Sequence, residues 1–269
     1  MRRLIAFPCA GDTLLGTLDE GNAGIGLLIV SGGNEIRIGA HRGMASLAAR
    51  LAASGTSVFR YDRRGVGDST GENRGFLESA PDIAAAAATF SAETGIRRLV
   101  AFGNCDAATA LALFHGVAGI DALILANPWV VEQSDDLPPA AAIRARYAAK
   151  LRDPAELLRL LRGGVNISKI FNGLRKISAA KYEIDTLASR LISALESTTI
   201  PTTILLAERD NTAIAFMARW QATGRRAEVR IEQRDTDSHS FASQADKDWL
   251  FAQIEEAISR VRESGARES

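Results

Sequence analysis

The chain has 269 residues, enough for one large domain or two small ones with a sizeable buried core. Apolar residues make up 46% and charged residues 24%, and 32 Lys+Arg balance 32 Asp+Glu, so overall charge gives a nucleic-acid partner no support. No apolar run approaches the ~20 residues that span a bilayer. The two cysteines, Cys9 and Cys105, can in principle pair but show no metal-ligand spacing, so neither a metal nor a cofactor is expected.

Met1-Arg2-Arg3 ahead of apolar residues invites a signal-peptide reading. The stretch Leu4 to Ala10 is interrupted by Pro8, runs straight into Gly11-Asp12 and lacks a small-x-small cleavage site, so it reads as a first strand and the expected location is cytoplasmic. Leu14 to Leu18 follows across the Gly11-Asp12 turn as the second arm of a hairpin. Gly26 to Val30 is a continuous apolar run, as in a strand buried on both faces of a parallel sheet. Helical spacing runs from Arg42 to Ala53 and stops at Ser54-Gly55. A strand at Thr56 to Tyr61, a helix at Asp82 to Glu93 led by Pro81, and a strand at Arg98 to Phe102 come next. A helical segment Ala107 to His115, a strand Asp121 to Ala126, strands Pro201 to Ala207 and Ala227 to Ile231, and a last helix from about Ala245 to Arg262 complete the order. This alternation predicts an α/β fold: an eight-stranded, mostly parallel sheet flanked by helices.

From Val130 to Thr199 the rhythm breaks, with only helical pieces such as Ala140–Leu151 and Ala155–Leu161. The predicted organisation is a core of residues 1–128 and 200–269, with 129–199 inserted as a helical cap. Between Arg144 and Arg190 there are eleven Lys/Arg against four Asp/Glu. Such a segment either steers an anionic substrate or is an ordinary solvated helix face.

The chemistry centres on Gly103-Asn104-Cys105-Asp106-Ala107, which sits between a strand and a helix with small residues two positions either side of a nucleophile. That pattern is a nucleophile elbow, here with cysteine where serine is usual. The amino end of the following helix favours a thiolate; the alternative is an inert buried cysteine. His239 follows the last strand and is the expected base. His115 lies roughly 15 Å along the elbow helix, at the wrong end. The acid is expected after the strand ending at Ala207, as Asp210 or, failing that, Glu208, orienting the imidazole through its Nδ1–H. Two backbone N–H groups are needed for an oxyanion; Asp106 supplies one, and Gly33 or Asn34, in the glycine loop after Val30, the other. His41, near the start of the first long helix, is either a substrate contact or a solvated histidine. Asp62 to Gly71 lacks the G-x-G-x-x-G spacing of a phosphate cradle and reads as a loop shaping the site rim.

Taken together, these motifs resemble the α/β-hydrolase superfamily, through D-x-R-G-x-G-x-S-x-G at Asp62–Gly71 and the elbow at Gly103–Ala107. More narrowly, the chain resembles the exosortase A system-associated hydrolases of type 1. That likeness rests on a Gly-Gly loop, Gly39-Ala40-His41-Arg42, the Gly-x-Cys-Asp-Ala elbow and Asn127-Pro128-Trp129. It implies an α/β-hydrolase fold, a Cys105-His239-Asp210 triad, and a setting near exopolysaccharide and protein-sorting loci. His41, Arg42 and Trp129 become candidate substrate contacts. Ser31 stands where many relatives have histidine.

The expected function is hydrolysis of an ester, thioester or lactone through an acyl-cysteine, on a small acyl substrate that the basic segment suits if it is anionic. An acyltransferase passing the acyl group to an alcohol, amine or thiol is the second reading, and a non-catalytic binding protein on a hydrolase scaffold the third.

Overall fold

The computed structural model describes residues 1–131, 186–223 and 229–267. Its sheet has eight strands: β1 (Arg2–Cys9), β2 (Asp12–Asp19), β3 (Ile25–Val30), β4 (Ser57–Tyr61), β5 (Arg98–Asn104), β6 (Ala122–Ala126), β7 (Thr202–Ala207) and β8 (Val229–Arg234). They lie in the order β1-β2-β4-β3-β5-β6-β7-β8. β1 and β2 form the antiparallel hairpin, β2 pairs antiparallel with β4, and every later pairing is parallel.

The apolar runs belong to strands covered on both faces, and the strand period of two splits each run between two cores. On one face Leu28, Val30, Leu99, Ala101, Leu123 and Leu125 form a core with the helices α2 (Ala80–Thr94), α3 (Asp106–Phe114), α4 (Thr186–Ser197) and α5 (Asn211–Ala222). On the other, Leu27, Ile29, Val100, Phe102, Ile124 and Ala126 meet α1 (Gly43–Ala53) and α6 (Gln244–Arg267). The eight strands and their alternation match the sequence reading.

Several boundaries differ for local reasons. α1 starts at Gly43 rather than Arg42, because His41 and Arg42 take left-handed backbone (φ 50 and 59) in a short turn ahead of it. β8 runs later than the expected Ala227 to Ile231, and Ala227 lies outside the described residues. α6 is longer than expected, and α5, after Asp210, was not anticipated as a helix at all. Cys9 and Cys105 are free thiols, so the pairing left open above is not made.

Most of the expected cap 129–199, including Ala140–Leu151 and Ala155–Leu161, lies outside the described residues. At its described end, α4 buries Leu187, Ala188, Leu191 and Leu195 and packs against α3, so this stretch belongs to the main core. Among the described residues no helix is long and apolar enough to cross a membrane.

The Asp62–Gly71 loop is tied to the body by the buried Asp62 carboxylate, which accepts from the backbone N–H of Arg37 (2.6 Å) and of Asp68 (3.1 Å) and pairs with the Arg37 guanidinium. Ser69 donates to the Asp62 carbonyl and accepts from the N–H of Leu15. Arg64 reaches the buried Asp82 on α2 at 2.6 Å. These bonds lock the loop against β2, β4 and α2, in keeping with its reading as a structural loop.

Candidate active site

In an open parallel sheet the carboxyl ends of the strands form the natural crevice, because loops leave there while helices cover the faces. The candidate residues gather at the ends of β3, β5, β6 and β7. Cys105 directly follows β5 and holds φ 62, ψ −127, a region costly for a residue with a Cβ. The tight turn is possible because its neighbours are small: a Cβ on Gly103 would lie 2.8–2.9 Å from the backbone of Ala107 and Ala108. The elbow's backbone is held by bonds from Cys105 N–H to the Ala126 carbonyl (2.9 Å) and from Trp129 N–H to the Cys105 carbonyl (3.2 Å).

Asp210 is the N-cap of α5. Its Oδ2 accepts from the backbone N–H of Thr212 (3.0 Å) and Ala213 (3.3 Å), and the same oxygen is 2.9 Å from His239 Nδ1. Burial works against its charged form, but the bond and charge of His239, with the two backbone donors, hold the carboxyl below its ordinary range. For His239, burial disfavours the imidazolium. Hydrogen bonding to Asp210 and to Cys105, with the charges of both, outweighs burial and pushes the imidazole up to about 10. Nδ1 is taken by Asp210, and Nε2 is the ring nitrogen that remains. Glu208, the fallback acid, is exposed, and among the described residues no hydrogen bond joins its side chain to His239; its neighbour Arg209 pairs with Asp235.

The oxyanion donors are less simple than the sequence suggested. Asp106 N–H, at the amino end of α3, has no hydrogen-bond partner among the described residues. Gly33 N–H, however, is engaged: it donates to the Asp106 carboxylate, Oδ1, at 2.6 Å. Gly32 packs onto the same place, since a Cβ there would lie 2.7 Å from that oxygen and 3.5 Å from the Cys105 Cβ. The Gly33 carbonyl accepts from Arg63, whose guanidinium thus braces the loop. Asn34 is exposed and its side-chain oxygen accepts from Asn73. A carboxylate therefore covers one of the two expected donors, which motif reading did not foresee because it located backbone groups and said nothing of the side chain at position 106.

His41 and Arg42 are exposed, and among the described residues no hydrogen bond joins either side chain to Cys105, Asp210 or His239. Trp129 is half-buried, and its backbone serves the elbow: N–H to Cys105, carbonyl to the Thr109 hydroxyl (2.7 Å). Sequence reading gave no role to Asn104, and Asn127 entered it only within the Asn-Pro-Trp motif. Both side chains donate to the His239 carbonyl, at 3.1 and 3.0 Å.

The family model described as serine aminopeptidase, S33, matches residues 27–169, more than half of the chain. The chain belongs to that family. It is thus a hydrolase of the S33, α/β-hydrolase type, with cysteine at its elbow. Similar folds among solved structures include an esterase from Pyrococcus furiosus (15% identity, TM-score 0.63, covering 97% of this chain and 91% of that one). The haloalkane dehalogenase DatA from Agrobacterium tumefaciens is alike at 15% identity and TM-score 0.63, with 97% of each chain covered. A serine hydrolase without a lid from Xanthomonas campestris is alike at 13% identity and TM-score 0.60, covering 96% and 94%. These likenesses support the fold of this S33-family chain. No curated protein matches it.

Proposed function

We propose that this S33-family hydrolase cleaves an ester, thioester or lactone through a Cys105 acyl intermediate, with His239 and Asp210 completing the triad. The observation that carries this is His239 itself. Its Nδ1 lies 2.9 Å from the Asp210 carboxylate, Cys105 is among the groups that raise the imidazole, and Cys105 stands on a strained elbow at a helix amino end.

In the first half-reaction the Cys105 sulfur attacks the substrate carbonyl carbon. The new C–S bond forms as the carbonyl π pair moves onto oxygen, and any thiol proton goes to His239 Nε2. The Asp106 N–H receives the oxyanion, joined by Gly33 N–H once the Asp106 carboxylate has swung off it. Collapse breaks the bond to the leaving group, which departs with the proton from Nε2. Water then attacks the thioester carbonyl and gives a proton to Nε2. The second collapse expels the Cys105 sulfur, which regains its proton or remains as the thiolate paired with the imidazolium. A raised imidazole suits the first step as a thiolate–imidazolium pair. Acylation removes the contribution of Cys105 to raising the ring, so the imidazole falls toward its ordinary range and more of it is unprotonated to accept the water's proton.

The finer setting rests on sequence. Gly39-Ala40-His41-Arg42, Gly103–Ala107 and Asn127-Pro128-Trp129 resemble the exosortase A system-associated hydrolases of type 1, which implies a setting near exopolysaccharide and protein-sorting loci. The eleven cations between Arg144 and Arg190 would suit an anionic substrate, and an ordinary solvated helix face accounts for them equally. Two free thiols suit a reducing compartment, in keeping with a cytoplasmic location.

The test is intact-mass spectrometry after incubation with a panel of p-nitrophenyl esters and acyl-CoAs, comparing wild type with Cys105→Ala. An adduct only on the Cys105 protein, followed by release of free acid, is the expected result. Equal labelling of both proteins, or no labelling with any acyl donor, overturns it. Turnover that needs an added alcohol, amine or thiol makes the chain an acyltransferase.

A further inference from the structure

The turn after β6 does more than leave the sheet. Asn127 is fully buried and takes a left-handed backbone conformation, φ 42, which asparagine accepts more readily than most residues. Every polar group of its side chain is used. Its Oδ1 accepts from Ala207 N–H at 2.9 Å; its Nδ2 donates to the His239 carbonyl at 3.0 Å and to Asn104 Oδ1 at 3.2 Å. Asn104, the last residue of β5, then donates to the same His239 carbonyl at 3.1 Å.

These bonds and the backbone around them reach all three residues of the proposed triad. Ala207 ends β7, and its carbonyl accepts from Asp210 N–H at 2.9 Å, so the bond from Asn127 holds the start of the turn that carries the acid. Backbone groups on either side of Asn127 hold the nucleophile: the Ala126 carbonyl accepts from Cys105 N–H, and Trp129 N–H, two residues on, donates to the Cys105 carbonyl. The loop bearing His239 leaves the sheet after β8, at the edge, and has no strand neighbour to fix it at this point. Its carbonyl, taking two amide donors, is where that loop is pinned to the centre of the sheet.

We propose that Asn127, with Asn104 beside it, is the positioning residue of the active site: one buried amide sets the strand ends bearing Cys105 and Asp210 and the loop bearing His239 in a common frame. The inference rests on the Cys105-His239-Asp210 reading. Buried amides of this kind also stabilise a fold, so stability alone does not test the proposal. Positioning differs in its effect on the reacting atoms, where a displacement of about 1 Å costs about 100-fold in rate.

The variants are Asn127→Ala and Asn104→Ala. The second leaves the buried Ala207 bond intact and keeps the test decisive if the first does not fold. Three readouts are taken on folded protein: thermal midpoint, the imidazole titration of His239 by NMR, and steady-state kinetics on the p-nitrophenyl ester that labels Cys105. Iodoacetamide alkylation of Cys105 at pH 6 accompanies them and needs no substrate. The expected result for either variant is a kcat lower by about 10–100-fold with KM within about twofold, slower alkylation, and a His239 titration moved down toward its ordinary range. A lower midpoint with unchanged kcat, alkylation and titration makes the amides structural only and overturns the proposal. If Cys105→Ala keeps full turnover, the triad reading itself fails. If it abolishes turnover while both asparagine variants behave as wild type, the positioning role alone falls.

Discussion

Replacing Asp106 with alanine is expected to speed acylation of Cys105. The carboxylate accepts from Gly33 N–H at 2.6 Å, while the backbone N–H of residue 106, which alanine and asparagine keep, is free among the described residues. With Gly33 N–H as the second donor, an oxyanion at this seat must take it from a carboxylate or do without it. A missing oxyanion donor costs on the order of 100- to 1,000-fold in rate. Displacing the carboxylate costs less: a hydrogen bond to a charged group is worth about 1.5–3 kcal/mol, and the low end applies here because the carboxylate is half-exposed. At about 1.4 kcal/mol per tenfold, the gain from removing it is about tenfold. Repulsion between carboxylate and oxyanion acts in the same direction. The assay is the pre-steady-state burst of p-nitrophenol at saturating ester, with Asp106→Asn placed between wild type and Asp106→Ala because a neutral amide oxygen holds Gly33 N–H less tightly. A burst slowed in Asp106→Ala refutes the reasoning and makes the carboxylate a participant in the reaction rather than an occupant of its seat.

Asp210→Asn keeps the shape of the site but presents the wrong partner to His239 Nδ1, and is expected to lower kcat by about 10⁴-fold, measured by stopped-flow on the same ester. In Cys105→Ala, NMR titration of the imidazoles should place His239 below about 10, because Cys105, after Asp210, is among the groups that raise the wild-type ring; an unchanged titration removes Cys105 from its surroundings. The folded imidazole titrates above its ordinary 6.5, so its pairing stabilises the fold fully below that value and the gain is lost as pH rises toward about 10. Chemical denaturation across pH 6 to 10 should therefore show a steeper fall for wild type than for His239→Ala. Gly103→Ala forces a methyl to within 2.8 Å of the Ala107 backbone and should open the elbow, abolishing Cys105 labelling in protein that is still folded by circular dichroism.

How far the chain could be read from its residues depends on how local each feature is. The strands of the central sheet were legible because burial on both faces demands unbroken apolar runs, as at Gly26–Val30 and Ala122–Ala126. The elbow was legible because its turn leaves room only for small neighbours, and Gly103 meets the Ala107 backbone as that requires. α5 was not legible. Its first turn is announced only by the Asp210 cap, and that carboxylate had been assigned to His239; the structure shows one oxygen serving both.

The residues thus specified what is written in nearest neighbours and in periodicity: an eight-stranded α/β core, a thiol on a turn, and the chain order of thiol, acid and histidine. Folding added what depends on groups far apart in the chain. His239 comes within reach of Asp210 and Cys105 although the thiol lies over a hundred residues away, two asparagines converge on one carbonyl, and the Asp106 side chain turns back onto Gly33. Such contacts leave no pattern in the sequence, because a hydrogen bond between distant residues is set by where the sheet delivers their backbones and not by what lies beside them.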